Sequence, residues 1–281
     1  MRDDPDPAVR PDTQSVTRSI TQLEMQLTRR GAHRSVPITL SEEGGIRYLH
    51  FGTPWVQGAM RVSRPDEPVL DYVRQMMAWL LFLAPPAEIL QLGLGAGALT
   101  RFCLRHCPDS AITAVDSAPE VIETAHQWFA LPREHPRLRV VEQDAMDFLE
   151  SSQAQGRYGV LQVDLYDMHA RGPTIESAAF YRLCCESLRE PGVAVFNLFG
   201  EHESTQRNLD RIGRAFKGRV LSMPINAAGN LVVLGFKGPM LSVEWSRVSE
   251  RADQLRKEFR LPASDWARAL KSASTAPQLQ V

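Results

Sequence analysis

Gly93, Gly95 and Gly97 stand at alternate positions, directly after the apolar run Ile89-Leu90-Gln91-Leu92 and before a helical pattern. Glycine lets a backbone turn sharply and approach a ligand where a side chain would collide. Farther on, the apolar run Ala111 to Val115 ends in Asp116, an acid placed to bind two ribose hydroxyls. The pairing points to an adenosine-containing small molecule. Two more apolar runs end in polar residues, one in Gln143-Asp144-Ala145 and the next in Asp164-Leu165-Tyr166-Asp167. Asp164 and Asp167, just past a strand, can face one pocket, and acids there hold a cation or accept a proton from an attacking amine. An alkylamine resembles lysine, with a pKa of about 10, and is mostly protonated and inert at neutral pH. A carboxylate that takes up the proton frees the lone pair to attack a carbon beside a sulfonium. Positioning and electrostatics then matter more than covalent catalysis. The competing reading of each single Asp is a helix cap or a turn acid bound to backbone amides.

For these residues to meet, the runs that carry them must be neighbouring strands ending on one edge. The pattern from residue 88 alternates strand and helix. Strands are expected at 88–92, 111–115, 138–142, 159–163, 192–198, 219–223 and 230–236, and helices at 97–106, 118–130, 145–151, 177–189 and 203–216. That alternation argues for a largely parallel sheet with helices on both faces, in which ligands collect beyond the carboxyl ends of the strands. Only a short turn, Asn226 to Asn230, separates the last two strands, so they should pair antiparallel. The expected fold class is therefore α/β: a Rossmann-like, seven-stranded, mostly parallel sheet.

Before it, Ile38 to Leu40, Ile46 to Phe51 and Val56 to Met60 alternate between Glu43-Gly44-Gly45 and Gly52-Thr53-Pro54 turns, which predicts a small antiparallel β unit. A helix is expected from Pro68 to Phe82, carrying Tyr72, with Pro85-Pro86 ending it. The organisation is read as a flexible or partly helical lead-in over 1–35, the β unit over 36–66, the Rossmann-like unit over 67–240 and a helical segment over 241–281. In that last segment Arg247, Arg251, Arg256 and Arg260 predict a surface helix with a charged face, or a subunit contact. His126, Trp128 and Phe129 are expected to pack against the sheet and His169 to be solvated.

Composition narrows the function classes. The chain has 281 residues, 43% hydrophobic, with 32 basic against 33 acidic residues and a net charge of −1. This balance supports neither a nucleic-acid surface nor a polybasic membrane anchor. No apolar run has the roughly 18–20 residues needed to cross a bilayer. The first residues hold no signal-peptide core, so the expected location is the cytoplasm. Cys103 and Cys107 share one helical stretch, and Cys184-Cys185 are adjacent in another. Neither spacing makes a metal site, so these are expected to be buried thiols and no metal is expected.

Over about residues 36 to 240 the chain resembles the spermidine synthase family of aminopropyltransferases. The likeness rests on Gln57, Asp66-Glu67 and Tyr72, the glycine loop with Asp116, Gln143-Asp144-Ala145, Asp164-Leu165-Tyr166-Asp167, Gly172-Pro173 and Phe180-Tyr181. The resemblance implies a class I methyltransferase-like fold and a donor site made by Gly93, Gly95, Gly97, Asp116, Asp144 and Ala145. Asp116 would bind the ribose and Asp144 the adenine amino group. Asp164 would activate the amine, Asp167 help to hold the substrate, and Gln57 and Tyr72 line the pocket. It further implies decarboxylated S-adenosylmethionine as donor substrate rather than a prosthetic group, methylthioadenosine as product, a small-molecule amine as acceptor and a homodimer. The chain departs from the family at Ala96, where an Asp usually grips the donor's free amine. It departs again at Tyr72-Val73-Arg74, where the family has Tyr-His-Glu, and at Met168-His169 after Asp167, where a proline is absent. An inward-facing Arg74 would repel a dication. Two other readings stay open: a methyltransferase using intact S-adenosylmethionine, and a non-catalytic protein that binds an adenosine ligand.

Overall fold

The structure, a computed structural model, describes residues 23–24, 36–165, 177–200 and 202–281. A four-stranded antiparallel sheet comes first, β1 (Leu23–Glu24), β2 (Thr39–Glu43), β3 (Ile46–His50) and β4 (Gly58–Arg61), in that order. Its last three strands fall where the alternation placed them. Leu23–Glu24, inside the expected lead-in, pairs with Leu40 and Thr39 as a further strand. Leu40, Leu49 and Met60 from this sheet, with Ile38 just before it, pack with Val121 and Phe129. Phe129 and Trp128 therefore pack against the N-terminal sheet rather than the central one, and the His126 ring binds the Leu131 carbonyl.

The next segment corrects the expected helix over 68–82. A short α1 (Asp71–Gln75) is followed, after Met76-Met77, by a 3-10 turn at Ala78–Leu81. Met76 to Leu81 are all buried, so the run is apolar on every side rather than along one helical stripe. The break is held by side chains: Gln162 Nε2 donates to the Met76 carbonyl at 3.1 Å, and Gln75 Nε2 to the Pro224 carbonyl at 2.7 Å.

Seven strands then build the central sheet. They are β5 (Glu88–Leu92), β6 (Ala111–Asp116), β7 (Leu138–Glu142), β8 (Tyr158–Val163), β9 (Leu188–Phe199), β10 (Val220–Ser222) and β11 (Asn230–Lys237), in the order β10-β11-β9-β8-β5-β6-β7. Pairings among β5 to β9 are parallel, and β11 runs antiparallel to both β9 and β10. All six residues of β8 are buried, as a parallel strand covered on both faces requires. The helices between them are α2 (Ala98–His106), α3 (Pro119–Trp128), α4 (Ala145–Glu150), α5 (Ala178–Ser187) and α6 (Thr205–Ala215). Their starts have local causes: Pro119 opens α3, Asp144 caps α4, and the Ser177 hydroxyl accepts the Phe180 amide at 3.0 Å. Boundaries agree with the expected ones to a residue or two, except that β9 begins at Leu188 rather than 192.

The chain ends with β12 (Ser242–Glu244), α7 (Trp245–Phe259), α8 (Ala263–Ala273) and β13 (Gln278–Gln280), where β12 and β13 form an unforeseen two-stranded sheet. Arg247, Arg256 and Arg260 lie on the exposed face of α7 and its cap, as expected. Arg251 turns back, donating to the Leu80 carbonyl at 3.0 Å. Among the described residues no helix is long and apolar enough to cross a membrane. Cys103, Cys107 and Cys184 are buried thiols, and Cys185 is half-buried.

Candidate active site

β5 lies where the parallel sheet changes direction, with β6 leaving on one side and β8 on the other. A crevice opens at such a point beyond the carboxyl ends of the strands. Here it is a cavity of about 1350 Å³ between the strand tips, the loop at 51–57 and α1. Gly93, Gly95, Asp116, Asp144, Ala145, Asp164, Gln57 and Tyr72 all line it. Asp116, Asp144 and Asp164 therefore converge on one cavity. Gly97 does not line it; at φ +68° it caps α2 and turns the chain out of the loop.

The strand tips are crowded together. Gly93 donates to the Val115 carbonyl at 2.8 Å, and Asp164 to the Leu92 carbonyl at 2.9 Å. Gly93 sits at φ +90°, and a Cβ there would strike the Asp164 carbonyl, so no other residue fits. Asp116 is fastened to the loop: Oδ2 accepts the Leu94 amide and Oδ1 the Ala118 amide, each at 2.9 Å. Burial raises its carboxyl above the usual Asp value, and the amides of Leu94, Ala118 and Gly95 pull it partly back. A carboxylate has about four lone-pair sites, so beside these amides a hydroxyl donor in the cavity can still bind. Arg101 braces the loop from behind, with Nη1 donating to the Ala96 and Phe129 carbonyls and Nε to the Pro65 carbonyl. Burial brings this guanidinium down to about 10, against the opposing pull of Asp66.

Asp144 serves two purposes. Its Oδ1 caps α4, accepting the Met146 amide at 2.7 Å and the Asp147 amide at 3.2 Å, so the capping reading holds for this residue. It also lines the cavity, and the other oxygen is not needed by the cap.

Asp164 is the most enclosed of the acids. Burial raises its carboxyl; the Asn197 amide and the Tyr72 hydroxyl, both donating to it, oppose that rise. The Asn197 Nδ2 to Asp164 Oδ1 distance is 2.9 Å. Asn197 in turn accepts from Asn230 Nδ2 at 3.1 Å. Asn197 and Asn230 both line the cavity, and neither is among the residues expected there. Their signal was a lone amide inside Val193 to Phe199 and another opening Leu231 to Phe236, where every neighbour is apolar. Also unforeseen is an apolar wall of Phe51, Trp55, Val56, Leu70 and Phe199.

Two departures acquire a physical account. Arg74 does not face inward: Nε donates to the Pro68 carbonyl at 2.9 Å and Nη1 pairs with Asp71 at 3.2 Å. Ala96 is 3% exposed and packs beside Gly58, where a Cβ would stand 2.5 Å from the alanine methyl. The position that bears an acid in the resembled family here closes the contact between the loop and β4. Tyr166, Asp167, Met168, His169, Gly172 and Pro173 lie outside the described residues.

Comparison with known proteins agrees with this fold. A family model described as a methyltransferase domain matches residues 89–187, the span from β5 to the end of α5. A polyamine aminopropyltransferase of Chromobacterium violaceum is 33% identical over 237 residues, covering 84% of this chain and 90% of that protein. One from Neisseria meningitidis serogroup A is 34% identical over 238 residues, again covering 84% and 90%. Among solved structures, a probable spermidine synthase from Corynebacterium glutamicum superposes with a TM-score of 0.64 at 18% identity, covering 91% of this chain and 98% of that one.

Proposed function

We propose, from the premise that this chain belongs to the polyamine aminopropyltransferase family, that it moves an aminopropyl group from decarboxylated S-adenosylmethionine to an amine. The observation that carries this reading is the placing of Asp164 on the same cavity as the loop acid Asp116 and the cap acid Asp144. In this reading the nucleoside lies across the tips of β5, β6 and β7. Its ribose hydroxyls donate to Asp116, and its adenine amino group donates to the Asp144 oxygen that the helix cap leaves over. Gly93 and Gly95 allow the loop to approach. That places the sulfonium toward β8, where the acceptor amine meets Asp164.

The carboxylate takes a proton from the ammonium, the nitrogen lone pair attacks the methylene beside sulfur, the C–N bond forms and the C–S bond breaks. The bonding pair returns to sulfur and methylthioadenosine leaves. Tyr72 and Asn197 hold the base, Gln57 lines the acceptor side and Asp167 helps to hold the substrate. The wall of Phe51, Trp55, Val56, Leu70 and Phe199 suits the acceptor's carbon chain and keeps water from the reacting atoms. Assembly as a homodimer and a cytoplasmic location complete the reading.

Calorimetric titration with S-adenosylmethionine, its decarboxylated form and methylthioadenosine tests the donor, together with turnover of alkylamines. The decarboxylated donor should bind in preference to the intact one and should yield methylthioadenosine when an amine is present. Preference for the intact donor, with methylated amine as product, would replace this reading by methyl transfer. Binding of methylthioadenosine without turnover of any amine would leave an adenosine-binding protein.

A further inference from the structure

Asn197 is 3% exposed and Asn230 is 6% exposed, yet one stands inside the apolar run Val193 to Phe199 and the other opens the apolar run Leu231 to Phe236. A buried amide is retained at a cost unless its groups are paired. Their pairing has a direction. The Asp164 carboxylate only accepts, so Asn197 must present its N–H to it. The Asn197 oxygen then faces the other way and needs a donor, which Asn230 Nδ2 supplies. The sheet register places these groups side by side. Val163 pairs with Phe196, setting Asp164 beside Asn197, and Asn197 pairs with Val232 while Phe199 pairs with Asn230. Asn230 is itself anchored, since its backbone amide donates to Asn226 Oδ1 at 3.0 Å and its carbonyl accepts the Asn226 amide at 3.0 Å.

We propose that Asn230 is a positioning residue which acts through Asn197: it locks the Asn197 amide with its N–H toward Asp164. One carboxylate oxygen, Oδ1, is thereby occupied on the β9 side. Without Asn230, the Asn197 oxygen has no donor, and the amide gains by turning away from the carboxylate. This role rests on the reading of Asp164 as the base that takes the amine's proton. Among the described residues, the other titratable or charged groups on this cavity are Asp71 and Tyr72 of α1, Asp116 of β6 and Asp144 before α4.

The test follows the Asp164 carboxyl by carbon-13 NMR in ligand-free protein, so it needs no turnover. Asn197→Leu keeps the side-chain volume and removes the direct donor; its Asp164 midpoint should rise by about one pH unit. Asn230→Leu should raise it in the same direction by about half as much. With methylthioadenosine affinity unchanged, Asn230→Leu should also lower kcat several-fold, leave KM nearly constant and move the acidic limb of the kcat profile upward. A midpoint that moves in Asn197→Leu but not in Asn230→Leu overturns the proposal. Should either variant fail to fold, the unmodified protein decides. The side-chain amide protons of both Asn197 and Asn230 should then shift together through the Asp164 midpoint, and an Asn230 signal indifferent to that titration overturns it. An inactive wild-type protein that still shows the coupled titration would sink the aminopropyl reading and leave the relay standing.

Discussion

Asp164 and Asp116 owe their chemistry to burial, and burial sets the sign of their contribution to stability. Both carboxyls titrate above the usual Asp value of 3.8, because each is stripped of water more than its donors repay. A group whose folded value is raised binds its proton more tightly in the native state than in the unfolded chain. Stability is then fully present below the unfolded value and is lost as the pH rises from 3.8 through the folded value. Asp164→Asn carries no charge at any pH. The melting temperature of Asp164→Asn relative to wild type should therefore climb across that window and level off above it. The same variant should lose about 10²- to 10⁴-fold in kcat, the usual worth of a general base, with methylthioadenosine affinity within a few-fold. Melting curves at several pH values, paired with turnover assays, check both halves. A variant that keeps its activity removes Asp164 from the mechanism. Asp116, Asp144 and Asp164 were legible before the fold was seen because each ends an apolar run. Asn197 and Asn230 were not, since an isolated amide in a strand has no spacing rule and its partners come from another strand.

The loss of helix after Gln75 shows what residue patterns leave out. Val69, Tyr72, Val73, Met76, Met77 and Leu80 recur at helical spacing, but helical spacing does not reveal that every residue from Met76 to Leu81 is buried. The chain leaves α-helical geometry where a carbonyl is claimed by a side chain from β8. That claim belongs to a buried series: Thr100 Oγ1 donates to Gln91 Oε1 at 2.6 Å, Gln91 Nε2 to Gln162 Oε1 at 2.8 Å, and Gln162 Nε2 to the Met76 carbonyl. The series ends on Met76, directly after the α1 segment that carries Tyr72 to Asp164. Gln162→Leu takes the donor from the Met76 carbonyl and leaves the Gln91 amide only the Cys103 sulfur at 3.8 Å, so it should cost about 1–3 kcal/mol of stability. Because Tyr72 then loses its support, kcat should fall more than nucleoside affinity does. Urea unfolding and the same titrations measure the two effects; unchanged stability would show that water replaces the lost bonds. The strands themselves were predictable from apolar runs alone, because in a parallel sheet burial on both faces needs no alternation.

The C-terminal segment joins the rest of the molecule through one continuous core. Trp245, Val248, Ala252, Leu255, Trp266 and Leu270 belong to the same cluster as Met76, Met77 and Trp79, with Phe102 and Val232 beyond them. Its charged outer face was plain in the arginines, but the partner of its inner face was not, since that contact spans most of the chain. Arg260 pairs with Glu67 at 2.8 Å, a further tie of the same kind, though exposed and of small worth. We infer that the 67–240 and 241–281 units, separable by composition, unfold as one. Leu255 is fully buried, so Leu255→Ala should remove about 2–5 kcal/mol. The loss should appear in a single transition seen alike by tryptophan fluorescence, by far-ultraviolet circular dichroism and by the release of bound methylthioadenosine. Because the 3-10 turn at Ala78–Leu81 touches α7 on one side and continues from α1 on the other, weakening the far core also loosens the wall that holds Tyr72. Two separated transitions, with the nucleoside retained through the first, would show instead that the C-terminal helices are an appendage to a site that stands without them.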